Sequence, residues 1–313
     1  MNERACVLGI DIGGTNLRVA LADLSGKILV RTSSTTTNVR DPHFVVANIC
    51  ECADQLLQEV GLTRKAIAAI GVGAPGVTNA ETGVVIATSY LMGWRDVPLK
   101  SMLEDTMGVP AAVDNDVNLA ALGESFFGAA SGTPNFVFLA VGTGVGAGII
   151  LKGELFQGTA WTAGEIGYML VPGVSERPAE PGQPGPLESL AGGEGLRLQW
   201  LSLWDPAQTA LSQNLTATQI FDGAVAGDAL ANSLLDRAAY TLACAICNVT
   251  LILNAPLFVL GGSVGLHPAL RDRTQSAVDA HARRLRPRIV LSSLGSDAQL
   301  MGAVRLAQLI TQR

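Results

Sequence analysis

This sequence predicts an α/β protein of two domains with similar topology, and three observations lead there. An apolar strand, a glycine-rich turn and a second apolar strand run through Leu8-Gly9-Ile10-Asp11-Ile12-Gly13-Gly14-Thr15-Asn16-Leu17-Arg18-Val19-Ala20, and the device returns at Phe136-Val137-Phe138-Leu139-Ala140-Val141-Gly142-Thr143-Gly144-Val145-Gly146-Ala147-Gly148-Ile149-Ile150-Leu151. The next turns also align, Asp23-Leu24-Ser25-Gly26-Lys27-Ile28 against Leu151-Lys152-Gly153-Glu154-Leu155, and an internal repeat of this kind implies two like domains. The chain has 313 residues, 48% of them hydrophobic and 15% charged, enough for two separate cores. The two domains are expected to face each other across a cleft carrying a glycine loop from each, which suits a nucleoside triphosphate gripped from both sides.

The elements follow in order. Residues 5 to 34 read as three antiparallel strands; Asp41-Pro42 then opens a helix to about Val60, with apolar positions at Phe44, Val45, Ala47, Ile49, Ala53, Leu56 and Leu57. Ile67 to Gly73 is a strand apolar on both faces, leaving through the turn Ala74-Pro75-Gly76-Val77. A hairpin over Thr78 to Ala87, a helix over Asp96 to Met107 stopped by Gly108, and a strand over Pro110 to Val113 come next. That strand delivers Asp114-Asn115-Asp116-Val117-Asn118 to a helix running on from Leu119 to Phe127. Val171 to Leu187, with five prolines, predicts an exposed loop. Helices are expected over Leu187 to Leu203, Thr218 to Ala226 and Asp228 to Asn254, then a buried strand ending in Gly261-Gly262. A last helix over Ala298 to Gln312 is expected to return to the first domain. The expected domains are 1–117 with 297–313, and 118–296.

Composition excludes several classes. A formal charge of −6 without any Lys/Arg-rich run argues against nucleic acid, whose phosphate backbone needs a basic face. Every apolar run is interrupted by Gly, Asn, Asp or Pro, so no membrane span is expected. Met1-Asn2-Glu3-Arg4 leads straight toward the first strand without the features of a signal peptide. The five cysteines, at 6, 50, 52, 244 and 247, read as reduced thiols of a cytoplasmic protein. Cys244 and Cys247 have redox or zinc spacing but lie in a helical pattern where packing is the expected role.

Gly13 and Gly14 would permit positive φ and close ligand approach, with backbone N–H groups and the Thr15 hydroxyl reaching phosphate oxygens and Asp11 near a metal-bound water. The same residues would also make an ordinary tight hairpin. Asp116, leaving a strand end between Asn115 and Asn118, is the candidate general base for phosphoryl transfer to a hydroxyl. Asp114, Asn115 and Asp116 equally suit a helix N-cap cluster.

These residues resemble the ROK family of sugar kinases and repressors, within the actin-like ATPase superfamily. The likeness runs nearly the whole chain, through Asp11-Ile12-Gly13-Gly14-Thr15, Gly73-Ala74-Pro75-Gly76, Gly93-Trp94-Arg95-Asp96-Val97-Pro98-Leu99, Asn115-Asp116-Val117-Asn118 to Glu124, Gly142 to Gly148, Ala163-Gly164-Glu165-Ile166-Gly167 and Leu260-Gly261-Gly262-Ser263. The resemblance implies two RNase H-like domains and Asp116 as the base. It implies that Asn115, Glu165 and Glu188 bond the sugar hydroxyls and that Gly76 lines the sugar site. It places ATP on Gly13, Gly14, Thr15, Thr143, Gly144, Gly261 and Gly262, with Mg²⁺ near Asp11 through water. The expected reaction is transfer of a phosphoryl group from ATP to the primary hydroxyl of an aldohexose, glucose first, and a homodimer is the expected assembly. N-acetylmannosamine, fructose or a β-glucoside as acceptor, and polyphosphate as donor, stay open.

Two departures stand out. Where the family has a sugar-touching histidine and a cysteine-rich zinc loop, this chain has Tyr168 and no cysteine or histidine between Glu165 and Glu194, so no zinc is expected and the loop's prolines are expected to stiffen it instead. Tyr168 then stands at the sugar site. Ser89-Tyr90-Leu91 also lacks the asparagine usual before the leucine. From other classes, a sugar-responsive repressor would need a DNA-binding module before the hairpin that begins by residue 8, and a sugar-binding protein without catalysis would not need both Asp11 and Asp116.

Overall fold

The computed structural model describes residues 5–36, 41–173, 183–282 and 284–312. Along the chain the strands are β1 Cys6–Ile12, β2 Asn16–Asp23 and β3 Ile28–Thr35, followed by helix α1 Pro42–Glu59 and strand β4 Ile67–Ala74. A small three-stranded antiparallel sheet, β5 Val77–Asn79, β6 Val84–Ala87 and β7 Arg95–Val97, precedes α2 Leu99–Met107, β8 Ala111–Asn115 and α3 Asp116–Phe127. Then come β9 Phe136–Val141, β10 Val145–Leu151, β11 Glu154–Leu155, α4 Pro186–Ala191, α5 Gly193–Leu203, α6 Ala217–Val225 and α7 Ala229–Leu253. The chain finishes with β12 Leu257–Gly261, α8 Pro268–His281, β13 Arg288–Leu291 and α9 Ala298–Thr311.

The repeat seen in the glycine turns extends to the sheets. One has the order β3-β2-β1-β4-β8, the other β11-β10-β9-β12-β13. In each, two antiparallel pairings come first and two parallel ones follow. Central strands β1 and β4 are buried at every position, the pattern of strands covered on both faces.

The chain divides into two compact units: Met1–Gly128, Gln157–Thr162 and Asp297–Arg313 form the first, Ala129–Phe156 and Ala163–Ser296 the second. A boundary after residue 117 would split α3 from the first unit, but α3 packs on α9 there. A Cβ at Gly302 would lie 1.7 Å from Leu119 O, and one at Gly123 2.4 Å from Ala298 O, so the two helices meet backbone to backbone. On its other contact α9 lies on β1 and β4, where a Cβ at Gly71 would sit 2.0 Å from Ala303 O and one at Gly9 2.6 Å from Val304 Cγ2. The brief return of residues 157–162 to the first unit has no counterpart in the sequence reading.

Several corrections are local. Phe44 and Ala47 face outward on α1, whose buried stripe is Val45, Val46, Ile49, Cys50, Cys52, Ala53, Leu56 and Leu57. The helix read from Asp96 starts at Leu99, because Arg95–Val97 pairs with β6, Asp96 takes φ 51°, and Pro98 restrains the residue before it. The helix read over Leu187 to Leu203 breaks at Gly192 into α4 and α5. Helix α7 is long and apolar enough to cross a membrane by length and composition, contrary to the sequence reading. Its apolar window is 56% buried within the protein, on the second unit's core. All five cysteines are free; Cys6, Cys50 and Cys52 are buried, but Cys244 and Cys247 are only partly so. Of the proline-rich loop, residues 174–182 lie outside the described residues; Val171 and Leu187 at its ends are buried rather than exposed.

Candidate active site

In the first unit the site is assembled by strand register. Asp11 on β1 lies beside Gly73 on β4, and Gly73 beside Asp114 on β8, with Ala74 beside Asn115. The carboxyl ends of three parallel strands therefore present two carboxylates in one row, the position where open α/β sheets bind ligands. A Cβ at Gly73 would lie 3.6 Å from Asp116 Cα and 3.7 Å from Asp11 Oδ1, so the two candidate functional acids flank a residue without a side chain.

Asn115 is the cap of α3. Its Oδ1 accepts from Val117 N at 2.8 Å and Asn118 N at 3.1 Å, while its Nδ2 donates to Gly76 O at 2.8 Å. With the capping duty taken by Asn115, Asp116 occupies the first helical position, half-buried, its Oδ1 accepting from Val117 N at 2.9 Å. Gly76 has φ 94°, and a Cβ there would meet Ala87 O at 2.3 Å, so only glycine fits this turn.

The turn after β1 is closed by Gly13 N donating to Asn16 O at 2.8 Å and braced from just past β3, where Thr36 Oγ1 donates to Gly13 O at 2.7 Å and Thr36 N to Thr15 O at 3.0 Å. Neither Gly13 nor Gly14 takes the positive φ expected of them. They are small for close approach instead: a Cβ would sit 3.1 Å from Asn16 O at Gly13 and 3.3 Å from Tyr90 O at Gly14. Thr15 and Asn16 are exposed.

Asp11 is buried, and its Oδ2 accepts from Arg18 Nε at 2.9 Å and Nη2 at 2.6 Å. Burial pushes its carboxyl up, and the Arg18 charge and hydrogen bonds pull against that. A carboxylate already held by a guanidinium fits a Mg²⁺ ion carried on nucleotide phosphates and water better than a direct protein cage. Among the described residues no group of three or more His, Cys, Asp or Glu could hold a metal ion. Residues 165–194 contain neither cysteine nor histidine, so that segment offers no thiolate or imidazole to zinc.

In the second unit the turn after β9 is clasped by the start of α5, with Gly193 N donating to Gly142 O at 2.8 Å and Glu194 N to Thr143 O at 3.1 Å. From the turn after β12, Val264 N and Gly265 N both donate to Val141 O, at 2.9 and 2.8 Å. Gly262, at φ 81°, makes that approach, since a Cβ would lie 2.5 Å from Val141 O. Beside these turns is a cavity of about 190 Å³ lined by Thr143, Glu194, Arg197, Thr216, Thr218 and Ser263 among others. Sequence reasoning found Thr143 and the Gly261-Gly262 turn. It missed Glu194, Arg197 and the two threonines, which look like ordinary helix-start residues, although the Thr216-to-Gln219 capping box was readable.

Glu188 stands at the third position of α4, and its Oε2 accepts from Val145 N at 3.0 Å. A Cβ at Gly144 would lie 2.3 Å from that oxygen, and one at Gly167 3.2 Å from it. Gly144, expected to serve only the nucleotide, thus makes room for Glu188. Glu188 Oε2 thus lies against Gly167, two residues after Glu165, and partial burial and then the Glu188 carboxylate push the Glu165 carboxyl up. Tyr168 ends a short 3-10 turn, Ile166–Tyr168, and is 57% exposed.

The chain matches the model of the ROK family over residues 7–310. It is 34% identical over 316 residues to a glucokinase of Halalkalibacterium halodurans, covering 96% of this chain and 94% of that one. Among solved structures it is similar to the ROK hexokinase from Thermus thermophilus, with a TM-score of 0.82 at 29% identity, covering 98% of this chain and 99% of that one. It is also similar to a ROK family glucokinase from Streptomyces griseus in complex with glucose and AMPPNP, with a TM-score of 0.78 at 26% identity over 97% and 99%. With two actin-like sheets, the glycine turns and the paired carboxylates in place, the chain belongs to the ROK family.

Proposed function

We propose that this protein is an ATP-dependent sugar kinase that phosphorylates the primary hydroxyl of glucose, giving glucose 6-phosphate. The observation that carries the reading is the register of β1, β4 and β8, which sets Asp11 beside Gly73 and brings Asp116 to the head of α3 on the next strand, in a chain whose relatives include a glucokinase.

Asp116 is the base. Its carboxylate takes the proton of the sugar hydroxyl as that oxygen bonds to the γ-phosphorus; the bond from phosphorus to the bridging oxygen breaks, and ADP leaves with its electrons. Asn115, Glu165, Glu188, Gly76 and Tyr168 are assigned to the sugar. Gly13, Gly14, Thr15, Thr143, Gly144, Gly261 and Gly262 are assigned to ATP, joined by Thr216, Thr218 and Arg197 around the second unit's cavity. Mg²⁺ bound through water near Asp11 would supply positive charge to offset the phosphate oxygens. The enzyme is read as zinc-free and as acting on small molecules, with a homodimer as its assembly.

A coupled assay across glucose, mannose, fructose, N-acetylmannosamine and a β-glucoside, with ATP or polyphosphate, tests this directly. Glucose with ATP is expected to give the highest kcat/KM. No turnover on any sugar refutes the kinase reading, and a preference for N-acetylmannosamine or polyphosphate refutes the assignment of acceptor or donor.

A further inference from the structure

Two positions before the base lies a carboxylate to which the reaction above gives no task. Asp114 ends β8 and is 2% exposed. Among the described residues all of its hydrogen-bond partners are N–H donors: Asn115 N at 2.7 Å and Asn118 Nδ2 at 3.0 Å on Oδ1, and Gln157 Nε2 at 2.5 Å on Oδ2. Among the same residues no lysine or arginine forms an ion pair with it. A buried acid without a cation is costly to keep unless its partners make a fixed, fully used set. Oδ1 accepts from two of the three donors and Oδ2 from the third, so both oxygens are engaged.

The placement of the donors is informative. Asn118 lies in the first turn of α3, so Oδ1 staples the end of β8 to the turn that carries Asp116. Gln157 comes from the short segment 157–162, which returns to the first unit directly after β11. Oδ2 therefore fastens a remote stretch of chain to the root of the base, and that stretch continues into Ala163-Gly164-Glu165.

We propose that Asp114 is a positioning residue for Asp116, with Gln157 as its partner: their hydrogen bond ties the first turn of α3 to the 157–162 segment and sets the direction in which the base points. The inference rests on Asp116 being the base of the kinase reading. It assigns Asp114 and Gln157 no contact with sugar or nucleotide.

The test exchanges donor and acceptor across the pair in the full-length enzyme. Gln157→Glu sets two carboxylates face to face and is expected to lower kcat about 30- to 100-fold, as small misplacements of a catalytic group do, with glucose KM within about threefold of wild type. Adding Asp114→Asn to it restores a hydrogen bond in the opposite sense, from the amide now at position 114 to the carboxylate now at position 157, and is expected to bring kcat back to within about fivefold of wild type. Gln157→Leu withdraws the donor without adding charge and provides a second route, with an expected loss of about tenfold in kcat and unchanged glucose binding by calorimetry. Position 157 as mere scaffolding predicts a lower melting temperature with kcat per folded enzyme unchanged, and that result overturns the proposal. So does a double variant no better than Gln157→Glu alone, or a glucose KM that rises as far as kcat falls. Wild-type turnover is read in the same assay. Its absence refutes the kinase reading and this role with it, whereas intact wild-type turnover matched by every variant refutes the positioning role alone.

Discussion

Asp116 and Asn115 divide labour that the sequence left undivided. Three polar residues before a helix suited either a cap or a base, and only the geometry separates them: Asn115 accepts from Val117 N and Asn118 N, which leaves Asp116 without the capping duty. Asp116→Asn is therefore expected to keep glucose binding by calorimetry while lowering kcat about 10²- to 10⁴-fold, the range for loss of a general base; near-normal turnover would remove it from that role. Gly144 changes meaning in the other direction. Because its missing side chain makes room for Glu188 Oε2, Gly144→Val is expected to raise the KM for glucose as well as ATP, each by about tenfold or more, and steady-state kinetics in both substrates would show it. A rise for ATP alone would mean that Glu188 is not displaced. Asp11, Asp116 and the Gly261-Gly262 turn were legible because short motifs concentrate unusual residues. Glu194 and Arg197 were not, since a helix-surface ion pair at i,i+3, with its closest contact at 2.6 Å, has no local signature distinguishing a cavity wall from a solvated face.

At the scale of elements, strands and their glycine exits were readable from apolar runs, and the misreadings have physical causes. Strand β7 is three residues long and pairs only on one side, so no alternation marks it. Helix α8 buries only Leu270, Thr274 and Val278 over 14 residues, too sparse an apolar stripe to announce a helix. Helix α4 is short, and what fixes it is not propensity. Pro186 begins it, Gly185 is pressed where a Cβ would meet Gly167 O at 2.3 Å, and Ser189 Oγ donates to Pro186 O at 2.8 Å. Pro184 and Pro186, just before Glu188, restrict the unfolded chain there. Pro184→Gly together with Pro186→Gly is expected to raise glucose KM severalfold and lower the melting temperature, with kcat at saturating sugar little changed. An unaltered KM would show that Glu188 is held from the β10 side alone, through Val145 N.

For the molecule as a whole, the repeated glycine hairpin pointed to two like sheets, and the matching strand orders bear that reading out. What the repeat could not reveal is the route of the chain between units, because the return at 157–162 is marked by a side-chain bond from Gln157 to Asp114, residues far apart in sequence. Metal content is a property at this scale too. With no cysteine or histidine in residues 165–194, elemental analysis of the purified protein is expected to find no stoichiometric zinc, and a chelator selective for zinc is expected to leave the melting temperature unchanged; one zinc per chain would refute this. The closing helix α9 has a further bearing, on biosynthesis. Its backbone fills the groove that Gly9, Gly71 and Gly123 leave open on the first unit, yet it is made only after residues 129–296. While a ribosome is still adding residues 129–296, the first sheet waits with that groove uncovered. The amino-terminal half must therefore stay unaggregated through the synthesis of the other half before it can complete its own core.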